Sequence, residues 1–391
     1  MNNSNKKKKI AIFCGNISTY HCPFFKLLSK DTDLTVMFGS QLGIKPQYNK
    51  EHNTTISYNS NMLLSGYKYI FLKNYFENNN RRGFFSRINL DIPFYIYKNK
   101  FDYVFIFGYD TFSSWLCLFS SIILRKKIIW RGEVIKGRKT SIPKKIIKYI
   151  LLNLFFINCD YILYTCKKNY EFLTSYNSPK KLFSFPCSVD NDSFRKEYNF
   201  LKQKKNLLKI KYNSSDYLNI LYAGRLTTRK DVIGILRSIK LLSNDKIIKL
   251  NLIIVGNGPE KKNLVNYSKD NSLNVNFFNF MNHDSLVELF TISDFFCINS
   301  NYDASPKVLN EAMNFALPII CKKTVGTSED LILNEYNGFT YSNEKELSAI
   351  FEKILINKNN YFYMRENSLK ILDEKFNYKN GLNAINKIIS L

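Results

Sequence analysis

The feature that most restricts the fold is a pattern between positions 217 and 323, where short unbroken apolar runs alternate with amphipathic stretches. "YLNILYAG" (217–224) predicts a strand and "RKDVIGILRSIKLL" (229–242) a helix. "KLNLIIVG" (249–256), "NVNFF" (274–278), "DFFCIN" (294–299) and "PIICKK" (318–323) predict further strands, the last closing the series. Helical stretches from about 260, around 286–290 and over 306–315 lie between them. Runs that are β-branched and aromatic throughout mean strands covered on both faces. Repeated βα units of this kind imply a parallel, doubly wound sheet. The first half shows the same grammar less cleanly, with candidate strands at 9–15, 34–39, 68–72, 102–108, 126–132, 160–165 and 182–186. A polar segment over 188–216 reads as linker plus surface helix, and 361–391 as a helical tail. The expected class is α/β, with two Rossmann-like doubly wound domains, 1–195 and 196–360, facing across a cleft.

Composition narrows the classes. At 391 residues the chain suits two domains, and 45% hydrophobic with 15% aromatic residues excludes wholesale disorder. A formal charge of +25 fits either a solvated lysine surface or an anionic partner: nucleic acid, membrane or phosphorylated substrate. The eight cysteines form no CxxC pair and most lie in apolar runs, which predicts buried free thiols in a reducing compartment. The three histidines, His21, His52 and His283, make no metal-ligand pattern. The apolar run at 10–14 is too short for a signal peptide, and no run reaches the ~18 apolar residues of a membrane span.

Three stretches carry chemistry. In "GRLTTRK", Gly224 ends a strand, and Arg225 and Lys230 follow at its carboxyl end, where an α/β domain presents a ligand. A guanidinium fork and an ammonium so placed suit a diphosphate, or else a solvated basic helix start. In "NYDASPKVLNEAMNFALPII" (301–320), Ser305 is expected as N-cap and Pro306 as the first helical residue, aiming free N–H groups at an anion. Asp303 stands before that helix and Glu311 within it, as hydroxyl-binding carboxylates or as a cap and an ordinary helix glutamate. "VGNGPE" (255–260) is a tight βα turn that lacks the third glycine of a dinucleotide fingerprint.

In combination, "GRLTTRK", "VGNGP", "NFFNFMNHDSLVELFTISDFFCINS", "DASPKVLNEAMNFALPII" and "VGTSEDLILNEYNGF" resemble the donor half of retaining glycosyltransferases of family 4, with the GT-B fold. "YHCPFFKLL", "LLSGYKYIFLKN", "FGYDTFSSWLC", "IIWRGE" and "FPCSVDNDSF" more loosely resemble members that build bacterial surface polysaccharides such as capsule, O-antigen or exopolysaccharide. The resemblance implies that Arg225 and Lys230 bind the donor diphosphate, Asp303 the donor sugar and Glu311 the ribose. It implies donor contacts from Gly224, Gly256, Gly258, Phe280, Ser305, Pro306, Lys307 and Val308, and an approach of Gly15 to the phosphates. It also implies that the tail helix crosses back to the first domain.

Three positions depart from the pattern. Asp303 replaces the usual glutamate, and Asn279 a common glycine. "WRGEV" stands where a histidine is frequent, leaving His21, Arg131 and Glu133 as acceptor-side candidates. The expected reaction is transfer of a sugar with retention from a nucleotide diphosphate sugar, a UDP-sugar, to an acceptor hydroxyl, with no cofactor and no metal. "DTD" (31–33) imitates a metal-binding DxD but reads as a structural turn.

Ten basic residues crowd 125–148: Arg125, Lys126, Lys127, Arg131, Lys136, Arg138, Lys139, Lys144, Lys145 and Lys148, opposed by Glu133 alone. They suit a lipid-diphosphate acceptor, with the protein cytoplasmic and peripheral at the inner face of the membrane. The stretch 143–158, basic at its start and strongly apolar after, suits either a helix lying on an anionic membrane surface or a buried helix with a solvated basic entry, the buried reading being preferred for its apolar part. The rivals are a nucleic-acid-binding protein, which no recognition motif supports, a GT-B nucleotide-sugar epimerase, and a catalytically weak homologue owing to Asp303.

Overall fold

The computed structural model describes residues 7–42, 44, 47–49, 54–56, 60–75, 83–137, 141–177, 179–357 and 361–391. The chain divides into two compact units. One comprises Met1–Tyr48, Thr55–Pro186 and Tyr378–Leu391; the other comprises Asn49–Thr54 and Cys187–Asn377.

The first unit holds β1 (Lys9–Cys14), β2 (Asp33–Phe38), β5 (Lys68–Phe71), β6 (Tyr103–Phe107), β7 (Lys127–Arg131), β8 (Tyr161–Tyr164) and β9 (Leu182–Ser184), while β3 (Gln47–Asn49) and β4 (Thr54–Ile56) form a small sheet of their own. The large sheet runs β5-β2-β1-β6-β7-β8-β9, every pair parallel. The second unit holds β10 (Leu218–Ala223), β11 (Leu250–Val255), β12 (Val275–Phe278), β13 (Phe295–Ile298), β14 (Ile319–Lys322) and β15 (Gly338–Tyr341), in the parallel order β12-β11-β10-β13-β14-β15. Both orders reverse direction beside their first strand, which is the Rossmann-type switch point. Ligands of such sheets bind outside the carboxyl ends of the strands flanking the switch, here β10 and β13 in the second unit.

Burial explains why these runs became strands. Every residue of β10 and β11 is buried. Leu218, Ile220 and Tyr222 pack into one core layer, and Leu221 and Ala223 into the layer on the opposite face. Each fully buried side chain of this size contributes ~1.5–3 kcal/mol, so a polar replacement at Ile220 would break the sheet's centre.

The expected boundaries shift. The units change between Pro186 and Cys187, and again between Asn377 and Tyr378, not at 195/196 and 360/361. The segment expected as linker plus one helix forms two helices, Asn191–Leu201 and Lys205–Lys211, whose Phe194, Tyr198, Leu201 and Leu208 join the second unit's core. The tail is two helices. Phe362–Lys375 belongs to the second unit, and Tyr378–Ile389 packs Ile385 and Ile388 into the first. β15 was not expected, because "GFTY" starts on glycine and contains no apolar run.

Candidate active site

The site in the second unit grows from the two loops at the switch point. After β10 the chain forms a 3-10 turn, Thr228–Lys230, and only then the helix Val232–Lys240. Between them Asp231 adopts a left-handed conformation, φ 50°, uncommon for a residue with a side chain. It is held from three directions. Asn299 Nδ2 donates to its carbonyl at 2.6 Å and to its carboxylate at 3.1 Å, and Lys322 Nζ donates to that carboxylate at 3.0 Å. Tyr341 in turn donates to Asn299 Oδ1 at 3.0 Å.

The turn is stitched to the loop after β13. The Asn301 amide donates to Arg229 O at 2.9 Å, and Arg229 Nη1 to Tyr302 O at 2.6 Å. Asp303 is fixed through its backbone, which pairs with Val325 and accepts from the Gly326 amide at 2.7 Å. These ties bring the Lys230 ammonium onto the Asp303 carboxylate, with the two side chains only 13% and 16% exposed.

A second lacing joins the loops after β10 and β11. The Gly224 amide donates to Val255 O and the Leu226 amide to Asn257 O, at 3.0 and 2.9 Å. A Cβ on Gly256, where φ is 144°, would lie 1.9 Å from the Gly224 carbonyl oxygen, and one on Gly258 would lie 2.1 Å from that of Leu226. The missing side chains therefore serve backbone contact between the loops. Half-buried Arg225 stands in this lacing, and Tyr222 Oη donates to its carbonyl at 3.0 Å. Burial, and then the nearby Asp303 carboxylate, push the Tyr222 phenol above its ordinary pKa, so it stays a neutral donor.

The helix after β13 corrects one expectation. It spans Lys307–Asn314, with Pro306 at the N-cap (ψ 112°) and no side-chain cap. Ser305 does not cap it, because the helix starts at Lys307 and the extended Pro306 holds the N-cap position, leaving buried Ser305 one residue too early. Lys307 Nζ donates to Cys187 Sγ at 3.0 Å and to Ser305 O at 3.3 Å, and Asn310 to Cys187 O at 3.1 Å. Val308 is half-buried beside the core, and Glu311 lies in the buried body of the helix, 8% exposed. Phe280 is exposed, two residues beyond β12 and two strands from β10. Asn279 accepts from Lys261 Nζ at 2.5 Å.

In the first unit the three acceptor-side candidates converge. Arg131, the last residue of β7, is 4% exposed. Its guanidinium lies 5.5 Å from the Phe107 ring centroid and 5.0 Å from that of Phe185. It reaches Glu133 at 3.4 Å and His21 Nε2 at 3.5 Å. Gly15 ends β1's turn, and a Cβ there would meet the Arg87 guanidinium at 3.1 Å; Arg87 Nη2 donates to Asn16 Oδ1 at 2.9 Å. Arg87, Asp231, Asn299 and Lys322 carry no role in the sequence reading, although Asn299 lies inside a family-like stretch; only proximity in the fold picks them out.

One residue of the basic cluster is not surface charge, and another is neutralised at the surface. Arg131 is buried, and Lys127 pairs with Asp160 at 3.0 Å; Arg138 and Lys139 lie outside the described residues. The helix Ile142–Ile157, expected to be buried in its apolar part, buries only Leu152, Phe155 and Phe156 and exposes Ile146, Ile147, Ile150, Leu151, Leu154 and Ile157. Asp33 of "DTD" opens β2 and pairs with Lys68 at 2.8 Å. Among the described residues no cluster of three or more His, Cys, Asp or Glu could hold a metal, and no helix is long and apolar enough to cross a membrane.

Two parallel-sheet Rossmann-like units, with the second unit's site at its switch point, define the GT-B class. Solved structures share this fold. HepE of Anabaena in complex with UDP superposes with a TM-score of 0.71 over 98% of this chain and 100% of its own, at 14% identity. Residues 204–371 match the family described as glycosyl transferases group 1. An uncharacterized glycosyltransferase of Haemophilus influenzae is 26% identical over 269 residues, 67% of this chain and 70% of its own length. A UDP-Gal:alpha-D-GlcNAc-diphosphoundecaprenol alpha-1,3-galactosyltransferase of Escherichia coli is 27% identical over 166 residues, 42% of each chain. This chain thus spans less than half the length of the second relative.

Proposed function

We propose that the chain is a retaining glycosyltransferase, moving a sugar from a UDP-sugar to a hydroxyl of a lipid-linked glycan in surface-polysaccharide synthesis. The observation that carries the reading is the Lys230–Asp303 pair at the carboxyl ends of β10 and β13. A cation held on a carboxylate at a switch point is poised to exchange partners. When a nucleotide diphosphate arrives, Lys230 and Arg225 neutralise the leaving phosphates, and Asp303 accepts from sugar hydroxyls. Such preorganised charge stabilises a transition state without reorganisation and needs no dedicated nucleophile. Glu311 holds the ribose, and the Gly256–Gly258 turn borders the base.

Two comparisons support the substrates. HepE was solved with UDP, and the Escherichia coli relative's name couples a UDP-sugar with a diphosphoundecaprenol acceptor. We assign the acceptor side to His21, Arg131 and Glu133, and a peripheral position on the anionic cytoplasmic leaflet to the exposed apolar and basic faces of Ile142–Ile157. The diphosphate is handled by side-chain cations, so turnover is expected to survive a chelator.

The test is UDP release by the purified chain across a panel of UDP-sugars, with and without a prenyl diphosphate-linked sugar. Product anomeric configuration is read by NMR. At least one donor should turn over with its configuration kept. Absence of both UDP binding and release across the panel sinks the reading, and an inverted product removes retention.

A further inference from the structure

The first unit contains a cavity of about 500 Å³ that the transfer site does not use. It lies between helices Phe112–Ile123 and Ile142–Ile157, and its walls are mainly Phe112, Trp115, Leu116, Ile147, Leu151 and Leu152. Tyr109 and Asp110, just beyond β6, line one end, so the cavity meets the carboxyl edge of the sheet, where ligands of such sheets sit. Lys144 and Lys148 also line it, Asp110 being the one acid on the wall among the described residues. The volume is that of a small-molecule site.

The walls are built, not incidental. Trp115 Nε1 donates to Tyr109 O at 2.9 Å, and its ring packs edge-on against Phe155 at 5.0 Å. The Gly108 amide, one residue before Tyr109, donates to Arg131 O at 2.8 Å. That hydrogen bond links the groove's end to the strand terminus carrying the His21–Arg131–Glu133 cluster.

We infer that this groove holds the hydrocarbon chain of the lipid-linked acceptor, one chain inserted between the two helices, with its phosphates met by lysines at the rim. The inference rests on the acceptor reading above and deepens it. An apolar slot with a two-lysine lining and one end at the ligand edge matches an amphiphile whose tail is hydrocarbon and whose head is a phosphate. Lys148 also lies 5.9 Å from the Phe172 ring centroid, and a free phosphate alone leaves the aromatic walls without a role. Flat adsorption on a bilayer uses the outer face of Ile142–Ile157 and does not need a cavity.

The experiment uses the full chain and soluble probes: inorganic diphosphate, geranyl diphosphate and farnesyl diphosphate, titrated by calorimetry and by tryptophan emission, with Trp115→Phe run alongside to subtract the signal of Trp130. Affinity should climb by about fourfold for each further buried carbon, so farnesyl diphosphate should bind at least tenfold tighter than geranyl diphosphate. Inorganic diphosphate should leave the emission unmoved. Ile147→Asp and Leu151→Asp, at positions 58% and 45% exposed where a charge is compatible with folding, should each weaken farnesyl diphosphate at least tenfold. Equal affinity for the three probes, or unchanged affinity in both variants, overturns the groove. UDP release from UDP-sugars is read separately. Release without chain-length-dependent binding removes the groove and keeps the transfer reading; chain-length-dependent binding without release does the reverse.

Discussion

Lys230 donates to the carboxylate of Asp303 across 73 residues of chain, and both side chains are largely shielded from water. Neither group could be shielded alone without a large desolvation penalty, so each holds the other in place. If the pair is the donor clamp, the two residues act as a unit and their effects are not additive. Lys230→Ala should lower donor turnover by on the order of 10²–10³. Asp303→Ala should do likewise, and the double variant should fall far short of the product. Steady-state UDP release on the four proteins of this cycle checks it. Strict multiplicativity would show that the two do not share one task. Asp303→Glu, one methylene longer, tests the sugar contact: activity rising above the parent would mark the natural aspartate as an attenuation.

Arg225 is held by backbone ties, its carbonyl accepting from Tyr222 and its neighbours Gly224 and Leu226 donating to Val255 O and Asn257 O, and these ties survive truncation of its side chain. Arg225→Ala should therefore leave the melting temperature nearly unchanged while turnover falls by on the order of 10²–10³. Arg225→Lys keeps the charge but loses the planar fork and should recover only part of the loss. Calorimetry with UDP separates binding from chemistry. Full activity in Arg225→Ala would falsify the diphosphate assignment.

Gly256→Ala drives a methyl group into the Gly224 carbonyl from a backbone conformation that disfavours side chains. No flexible side chain is there to yield, so the loops must part. A loss of about 1–3 kcal/mol, or roughly 2–10 °C in melting temperature for a unit of this size, is expected, together with loss of UDP binding. Gly83→Ala, where a Cβ meets nothing within 4 Å, is the matched control; φ there is 97°, so it isolates the backbone cost. Equal effects of the two would remove the close-approach explanation.

The sheets were legible because their inner strands are runs of apolar residues buried on two faces, as in β10 and β11, while the edge strands β5, β9 and β12 are only partly buried. β15 was hidden because burial at one edge needs only Phe339 and Tyr341. Arg225, Lys230 and Asp303 could be placed at strand ends in advance because each follows a legible strand, β10 or β13. The ties that set them, Asn299 to Asp231 and Lys322 to Asp231, join residues 68 and 91 positions apart and leave no local pattern. Arg131 shows the reverse failure: in sequence it is one more cation in a basic cluster, but in the fold it is buried between two aromatic rings.

The exposed apolar and basic faces of Ile142–Ile157 predict salt-sensitive binding to anionic vesicles. Lys145→Ala should weaken sedimentation with phosphatidylserine-containing vesicles about fivefold at low salt, the equivalent of ~1 kcal/mol for one surface lysine. Ile150→Asp should weaken it at any salt. Vesicle binding that neither substitution changes would place the contact elsewhere.

Alkaline pH should destabilise the protein through its buried thiols. Burial pushes Cys14 and Cys297 up to about 12, against an ordinary value of ~8.5 when unfolded. A raised folded-state pKa contributes stability that is complete below ~8.5 and is lost as pH climbs towards about 12, because only the unfolded chain ionises in that window. Each such thiol should remove roughly 1.4 kcal/mol per pH unit there. Urea midpoints between pH 7.5 and 10.5 should fall with rising pH, and Cys297→Ala should flatten the slope. The same slope in parent and variant would show that Cys297 ionises as easily folded as unfolded, and would contradict its burial.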